Sequence, residues 1–370
     1  MRLLCFCLYL LLSLFVAAQA RADIIIALVA PKAGDYQQQG EQLFKGAERA
    51  IEEINASGGL LKQKVVLLPV DDQCNDSFAV STAQMLALRK QEKINLVIGP
   101  YCANAFETVA DVYANAKIFQ IIPTTVNYTQ ASTIRKGLIK MLGYTNQQAK
   151  DFFNYYNVTF AGDKLAVISD GDNMESAEEN KAIIQEFSRH GKKLITTQYH
   201  YDKETDDYDA LADKVIADDN KIVFLLGESK DIRKTARALR QKNPNIILFT
   251  NRYNATDKYF EYLGKLADNT YFMELQGQDD DPDFAQTLVK LRLSGFETEG
   301  LALYGYSAVK LWYSLVKKAK SLNYEKLSAH INDKAIQTEF GKKMFHNGAP
   351  TKNEKYAVYK YENQQYQKVY

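Results

Sequence analysis

Asp23-Ile24-Ile25-Ile26-Ala27-Leu28-Val29-Ala30, then the turn Pro31-Lys32-Ala33-Gly34-Asp35, then a helical stretch from Gln38 to Asn55 that stops at Gly58-Gly59, is the segment that decides the fold. A strand with one wet face alternates apolar and polar residues; this first run does not, so it reads as a strand buried on both faces of a parallel sheet. In the stretch that follows, Phe44, Ala47, Ala50, Ile51 and Ile54 recur at helical spacing and form one apolar face. The glycine pair suits the left-handed backbone that ends helices. Val65 to Val70 is the next strand, so the opening unit is β-α-β.

The same grammar continues outward. Helix is expected over Ser77–Lys90 and Ala105–Ala116, and strand over Leu96–Gly99 and Phe119–Ile122, the last ending at Pro123. A second run opens near Tyr144. Its helices are expected over Gln147–Tyr156, Glu175–His190, Tyr208–Asp218 and Ile232–Lys242. Its strands are expected over Lys164–Ser169, Leu194–Tyr199, Ile222–Leu226 and Ile246–Thr250. Alternation of this kind makes parallel sheets covered by helices on both sides. No Pro- or Ser-rich tract separates the runs, so the expected fold class is α/β with two doubly wound lobes and structured crossings. The tail differs. A long helix over Leu301–Ser321 carries the stripe Ala302, Tyr306, Val309, Trp312 and Val316. After His346-Asn347-Gly348, the alternating stretch Tyr356-Ala357-Val358-Tyr359-Lys360-Tyr361 reads as an antiparallel strand leading into a polar hairpin. A chain that returns to strands after such a helix builds its lobes from non-contiguous pieces.

The 370 residues suit two domains, and 46 Lys+Arg against 45 Asp+Glu leave a formal net charge of +1. That balance gives no reason to expect a nucleic-acid or anionic-membrane partner. Met1-Arg2, the apolar Leu3–Ala18 and the small-residue site Ala20-Arg21-Ala22 have the layout of a secretory signal peptide cleaved before Asp23. Cys5 and Cys7 would leave with it, and they precede or lie inside the apolar run, which argues against a lipoprotein. Cys74 and Cys102 remain. In an oxidising compartment an even pair reads as a disulfide, with two buried thiols as the alternative.

Catalytic signatures are missing: there is no phosphate-binding G-x-x-x-x-G-K-[ST], no G-x-S-x-G elbow and no H-E-x-x-H. The four histidines, His190, His200, His330 and His346, are scattered and suggest neither a metal cage nor a triad. The acidic runs at Asp170-Gly171-Asp172 and Asp279-Asp280-Asp281 read as a helix-start turn and a solvated loop, not as calcium sites. The expectation is a non-enzyme without cofactor or metal.

Five stretches carry a resemblance. Gly40-Glu41-Gln42-Leu43-Phe44-Lys45-Gly46-Ala47 with Ile54-Asn55-Ala56-Ser57-Gly58-Gly59 is similar to the first helix of branched-chain amino-acid-binding proteins. Asp71-Asp72-Gln73-Cys74-Asn75-Asp76, Val97-Ile98-Gly99-Pro100-Tyr101-Cys102 and Ile121-Ile122-Pro123-Thr124-Thr125 resemble the same family, as does the tail from Phe340-Gly341 through Tyr359. The resemblance covers essentially the whole mature chain and is strongest over 23–126. It implies the type I periplasmic binding fold, two lobes joined by three crossovers, divided as 23–143 with 276–345 and 144–275 with 346–370. It also implies a Cys74–Cys102 disulfide, a periplasmic monomer, capture of a small solute by hinge closure, and an ABC permease in the inner membrane as partner. A ligand-sensing protein that signals to a membrane receptor is the alternative role.

Carried over one position at a time, the family's aromatic on the first loop falls at Gln39, and its serine after the second cysteine at Ala103, beside Asn104. The small residue and threonine after the proline fall at Thr125 and Val126, next to Thr124. The acid opening the second lobe falls near Thr145, which follows Tyr144. An aromatic on the next loop falls at Met174, the tyrosine after a glycine at Glu228, and the acid that pairs with the ligand's ammonium at Arg252. An arginine cannot serve an ammonium group, but it can fork onto a carboxylate. These departures point away from leucine, isoleucine or valine and toward another small polar solute, an amino acid or a related carboxylate or amide.

Overall fold

The computed structural model describes residues 22–370 apart from 35, 91, 103–105, 125, 127–132, 144, 172–173, 193–195, 202–203, 252–253, 276–281, 299, 333–334, 339–340 and 352–354. Residues 1–21, all but the last of the expected signal peptide 1–22, and Asp279-Asp280-Asp281 therefore lie outside the described residues. In the first lobe the chain forms β1 (Ile24–Val29), α1 (Gln37–Ala56), β2 (Val65–Val70), α2 (Asp76–Ala87), β3 (Ile94–Ile98), α3 (Phe106–Asn115), β4 (Phe119–Ile122) and β5 (Leu138–Lys140). The five strands are all parallel, in the order β2-β1-β3-β4-β5. The β1 side chains are buried except the half-buried Ile25, as an unbroken apolar run requires. Asn75 caps α2, its Oδ1 accepting from the amides of Ser77 and Phe78.

The second lobe continues with α4 (Thr145–Thr159), β6 (Leu165–Ser169), α5 (Met174–Arg189), β7 (Thr196–His200), α6 (Tyr208–Ala217), β8 (Ile222–Leu225), α7 (Ser229–Lys242), β9 (Ile247–Asn251), α8 (Asp257–Leu263) and β10 (Thr270–Leu275). Next come α9 (Pro282–Leu293), α10 (Ala302–Ala319), α11 (Tyr324–Ser328), the short pairs β11 (Ile336–Thr338) with β12 (Gly341–Lys343) and β13 (Phe345–His346) with β14 (Ala349–Pro350), and finally β15 (Tyr356–Glu362) and β16 (Gln365–Lys368). The second sheet runs β16-β15-β10-β9-β8-β6-β7, parallel from β7 to β10 and antiparallel from there.

The expected elements are present, with ends that move by up to three residues. The stretch expected as the start of the β7 strand, 194–195, is outside the described residues. Sequence reading passed over β5, α8, β10, α9, α11 and the small pairs. β5 is three residues long, too short for a period. β10 (Thr-Tyr-Phe-Met-Glu-Leu) shows itself as a strand only through its partners, β9 on one side and β15 on the other.

The chain passes between the sheets three times: after β5, after β10, and after the β13–β14 hairpin, which leans on β5 through Lys140 N–H donating to the Gly348 carbonyl at 2.7 Å. The second passage brings α10 back across α1. These two helices meet backbone to backbone. A Cβ at Gly46 would overlap the Ala302 carbonyl oxygen, and one at Gly305 would overlap that of Leu43. Around this contact Trp312 is fully buried, Tyr306 donates its hydroxyl to Glu53 at 2.7 Å, and Gln42 Oε1 accepts from the Leu301 amide at 3.0 Å, close to the start of α10. Gly305→Ala is expected to destabilise the protein by about 1–3 kcal/mol through overpacking. The check is its urea midpoint beside that of Gly34→Ala, where a Cβ meets nothing although the backbone φ is +78°; Gly34→Ala carries the backbone penalty without the helix clash.

Candidate functional site

Each lobe repeats one strand order, second-first-third-fourth-fifth: β2-β1-β3-β4-β5, and β7-β6-β8-β9-β10. The order therefore reverses between β1 and β3, and between β6 and β8. Open α/β sheets bind ligands outside the carboxyl ends of their strands at such reversal points, because the two adjoining loops diverge and leave a crevice.

In the first lobe those ends are tied together. Tyr101 N–H donates to the Val29 carbonyl at 3.1 Å, and Gln120 Nε2 donates to the Gly99 carbonyl at 2.9 Å. A disulfide joins Cys74 to Cys102, with Cα atoms 5.2 Å apart at a sequence separation of 28, so the loop after β2 is pinned to the loop after β3. Closing a loop of that length contributes roughly 3–4 kcal/mol in the chain-entropy account. Asp72, on the same loop, is fully buried, and its Oδ1 accepts from the Cys74 amide at 3.2 Å. Burial pushes its carboxyl up to about 6, with Asp71 adding to the effect. Gln39 lies in the first turn of α1, at the carboxyl edge of the sheet. It is 1% exposed, and neither Nε2 nor Oε1 has a hydrogen-bond partner. Leaving such groups unmade inside a protein costs about 1–3 kcal/mol.

The second lobe presents buried polar side chains at the same level. Ser169, the last residue of β6, accepts from Asn180 Nδ2 at 2.8 Å and lies 3.3 Å from His200 Nδ1. The Asp170 amide donates to Ser176 Oγ at 3.0 Å. At the end of β9, Asn251 Nδ2 donates to Glu179 at 3.2 Å, Asn254 Nδ2 donates to Asn251 Oδ1 at 2.9 Å, and Ser229 Oγ donates to Asn254 Oδ1 at 2.8 Å. This chain crosses from α5 through the loop after β9 to the first turn of α7. Gly227, at φ +140°, lets the Tyr201 ring approach: a Cβ there would lie 2.9 Å from Tyr201 Cε2. The Tyr201 hydroxyl is buried, and burial with the nearby Asp231 and Asp170 carboxyls holds its pKa well above the ordinary phenol value.

The lobes face each other across an open crevice of about 270 Å³, where Gln38, Glu41 and Lys45 of α1 stand opposite Asp257, Lys258 and Glu261 of α8. Among the described residues no cluster of His, Cys, Asp and Glu could hold a metal ion, and no helix is long and apolar enough to cross a membrane.

The family model described as periplasmic binding protein matches residues 23–365. The chain belongs to the periplasmic binding protein family. The family is one of solute-binding proteins, not enzymes. An amino acid binding protein of Pseudomonas aeruginosa is 27% identical over 354 residues, covering 94% of this chain and 92% of that one. Two solved structures are similar in fold. One is the branched-chain amino acid transporter substrate binding protein LivJ of Streptococcus pneumoniae in complex with isoleucine (TM-score 0.78, 18% identity, 94% and 99% of the two chains). The other is a solute binding protein of an ABC transporter from R. palustris in complex with benzoate (TM-score 0.79, 16% identity, 94% and 96%). These likenesses agree with the two-lobed type I periplasmic binding fold that the resemblance implied.

Of the positions that the sequence singled out on this periplasmic binding protein, Gln39, Thr124 and Glu228 are buried at 1%, 7% and 5% exposure, at the carboxyl ends just described. Glu228 is the residue before α7 and makes no side-chain cap to it. Met174 opens α5. Ala103, Asn104, Thr125, Tyr144 and Arg252 lie outside the described residues. Sequence reasoning passed over Ser169, Asn180, Glu179, Asn251 and Asn254. Ser169 and Asn251 end apolar strand runs, where a polar residue marks the strand's exit; Glu179 and Asn180 are hidden within a polar helix.

Asp72 makes stability depend on pH. Its folded pKa of about 6 lies above the ordinary 3.8, so the folded state holds the proton more tightly. The contribution is full below pH 4 and is lost as pH rises through 6, by up to ~3 kcal/mol. Asp72→Asn keeps an acceptor for the Cys74 amide and has no charge to bury. The variant is expected to exceed the parent in denaturant midpoint at pH 7.5 and to match it near pH 4.

Proposed function

We propose that this chain is an exported periplasmic protein that shuts its two lobes over a small polar solute and delivers it to an ABC importer in the inner membrane. The observation that carries the reading is Gln39: a fully buried amide with both ends unpartnered, at the strand ends where the fold binds ligands. In this reading the lobes comprise 23–143 with 276–345 and 144–275 with 346–370, the hairpin at 345–350 lying at the last boundary, and the mature monomer begins at Asp23. The lining is Gln39, Ala103, Asn104, Thr124, Thr125, Tyr144, Met174, Glu228 and Arg252, backed by the Glu179–Asn251–Asn254–Ser229 chain. No cofactor takes part.

An amide hydrogen-bonds in both directions, so the solute offers it a donor and an acceptor, as a polar amino acid, a small carboxylate or an amide can. Leucine, isoleucine and valine offer only hydrocarbon beyond their α-groups. The relatives' ligands, isoleucine in one case and benzoate in another, are consistent with a fold that takes several solute classes. Binding energy in this scheme comes from groups held in place before the solute arrives and from the apolar walls around them.

A thermal-shift screen of the mature protein against amino acids, small carboxylates, amides and aromatic acids tests the reading. A true ligand at about a hundredfold over its Kd adds roughly 2.7 kcal/mol of stability. Gln39→Leu is expected to weaken that ligand about 10- to 100-fold by removing two hydrogen bonds, while stabilising the empty protein by about 1 kcal/mol. If leucine or valine alone gives the shift, and Gln39→Leu leaves its affinity intact, the polar-solute reading is wrong.

A further inference from the structure

Helix α7 is rich in cations, and the structure treats them unequally. Its lysines have carboxylates: Lys230 Nζ lies 2.9 Å and Lys234 Nζ 3.8 Å from Asp206, and Lys242 Nζ lies 2.5 Å from Asp213. Arg240 is buried and donates to the Pro244 carbonyl. Arg233 and Arg237 are arranged differently. Among the described residues neither has a carboxylate partner. Both lie over the Tyr262 ring of α8 instead, their guanidinium carbons 5.4 and 5.5 Å from its centroid. The Arg233 Nε is buried with no hydrogen-bond partner. Arg237 is exposed, Arg233 half-buried and Tyr262 38% exposed, so the arrangement opens to solvent.

Residues four apart share a helix face, so α7 brings two positive charges together on one ring. The electron-rich ring face attracts each of them. The charges repel one another, and like charges at this spacing are unfavourable. A guanidinium presents a planar fork of donors that fits a carboxylate through two parallel hydrogen bonds. Packing on the ring orients both forks before a partner arrives, which lowers the ordering cost of binding. Lys258, one turn before Tyr262 on α8, adds charge of the same sign and has no partner among the described residues. Lys258 also lines the solute crevice, so this surface begins at the lip of the second lobe.

We infer that Arg233, Arg237 and the Tyr262 ring they share form a docking surface for a carboxylate-rich segment of a protein partner, which in the function proposed above is the importer's permease. The identity of the partner rests on that reading; the preference of the surface for carboxylates does not. A partner seated on α7 and α8 beside the crevice grips one lobe and leaves the other to change its angle as the crevice shuts.

The first test titrates the mature chain against a fluorescently labelled polyglutamate peptide. The expected result is saturable binding that weakens with salt and weakens about tenfold in the double variant Arg233→Gln with Arg237→Gln. Lys181→Gln with Lys221→Gln removes the same charge at lysines paired with Glu178 and Asp219, and should leave binding unchanged. If the glutamine variant at the arginines does not fold, Arg233→Lys with Arg237→Lys replaces it; losing the forks while keeping the charge should weaken binding about threefold. Binding indifferent to the arginines, or weakened equally by the lysine variant, would overturn the proposal. Tighter binding to phosphatidylglycerol vesicles than to the peptide would also overturn it, because the partner would then be a membrane. The second test measures cellular uptake of the solute found in the thermal-shift screen. Arg233→Glu with Arg237→Glu should lower uptake about tenfold at unchanged solute Kd, and uptake equal to the parent's would remove the permease as the partner. A parent chain that binds no solute would sink the function proposed above and leave the peptide titration to decide the surface.

Discussion

Two helices separated by more than two hundred residues of chain touch through their backbones at Gly46 and Gly305, and much of the architecture depends on that contact. Side chains of ordinary size at either position would hold α1 and α10 apart. The close approach seats α10 on the first lobe after the chain has already built most of the second. It therefore forces the chain to cross between lobes a second time, and a third time when β15 and β16 return to complete the second sheet. The hydrogen bonds from Tyr306 to Glu53 and from Leu301 to Gln42 fasten the same seam at its edges. Lobes stitched by several strands of chain can change their angle while keeping their interiors intact, which is the geometry hinge closure uses.

The two lobes have the same strand order but unlike crevice walls. The first wall is braced covalently by Cys74–Cys102 and by backbone bonds between strand exits. The second is braced by a chain of side chains, from the buried Glu179, Asn251 and Asn254 to the half-buried Ser229, each bonded to the next. Satisfied networks of this kind hold rotamers fixed, because losing one member leaves its neighbours unpaired in a medium that cannot hydrate them. A ligand held between the walls would meet groups already oriented.

Against that background the unsatisfied buried groups are informative. Gln39, Arg240 and Asp72 each keep polar or charged atoms from water without a full set of partners. Since a domain's net stability is only about 5–15 kcal/mol, three such costs are a large fraction of it. Asp72 lowers its cost by holding a proton to higher pH; Gln39 and Arg240 have no such recourse.

Local physics carried the alternation of strand and helix, the lobe count and the return of the tail, because a β-α-β chain has few ways to bury unbroken apolar runs. The resemblance to branched-chain amino-acid-binding proteins, and not local physics, singled out Gln39, Thr124 and Glu228, each next to the end of a strand or the start of a helix. Periodicity cannot reveal β5, which is too short, or β10, whose place depends on β9 and β15 at distant points of the chain. The close helix crossing was equally invisible: Gly46 and Gly305 look like weak helix formers until the partner backbone is seen. Only the tertiary structure decided that the Gln39 amide is left alone, that Glu179 reaches Asn251, and that Arg240 is buried with Nε and Nη2 unpartnered. The reason is that burial and pairing belong to the arrangement of distant segments and not to any one of them.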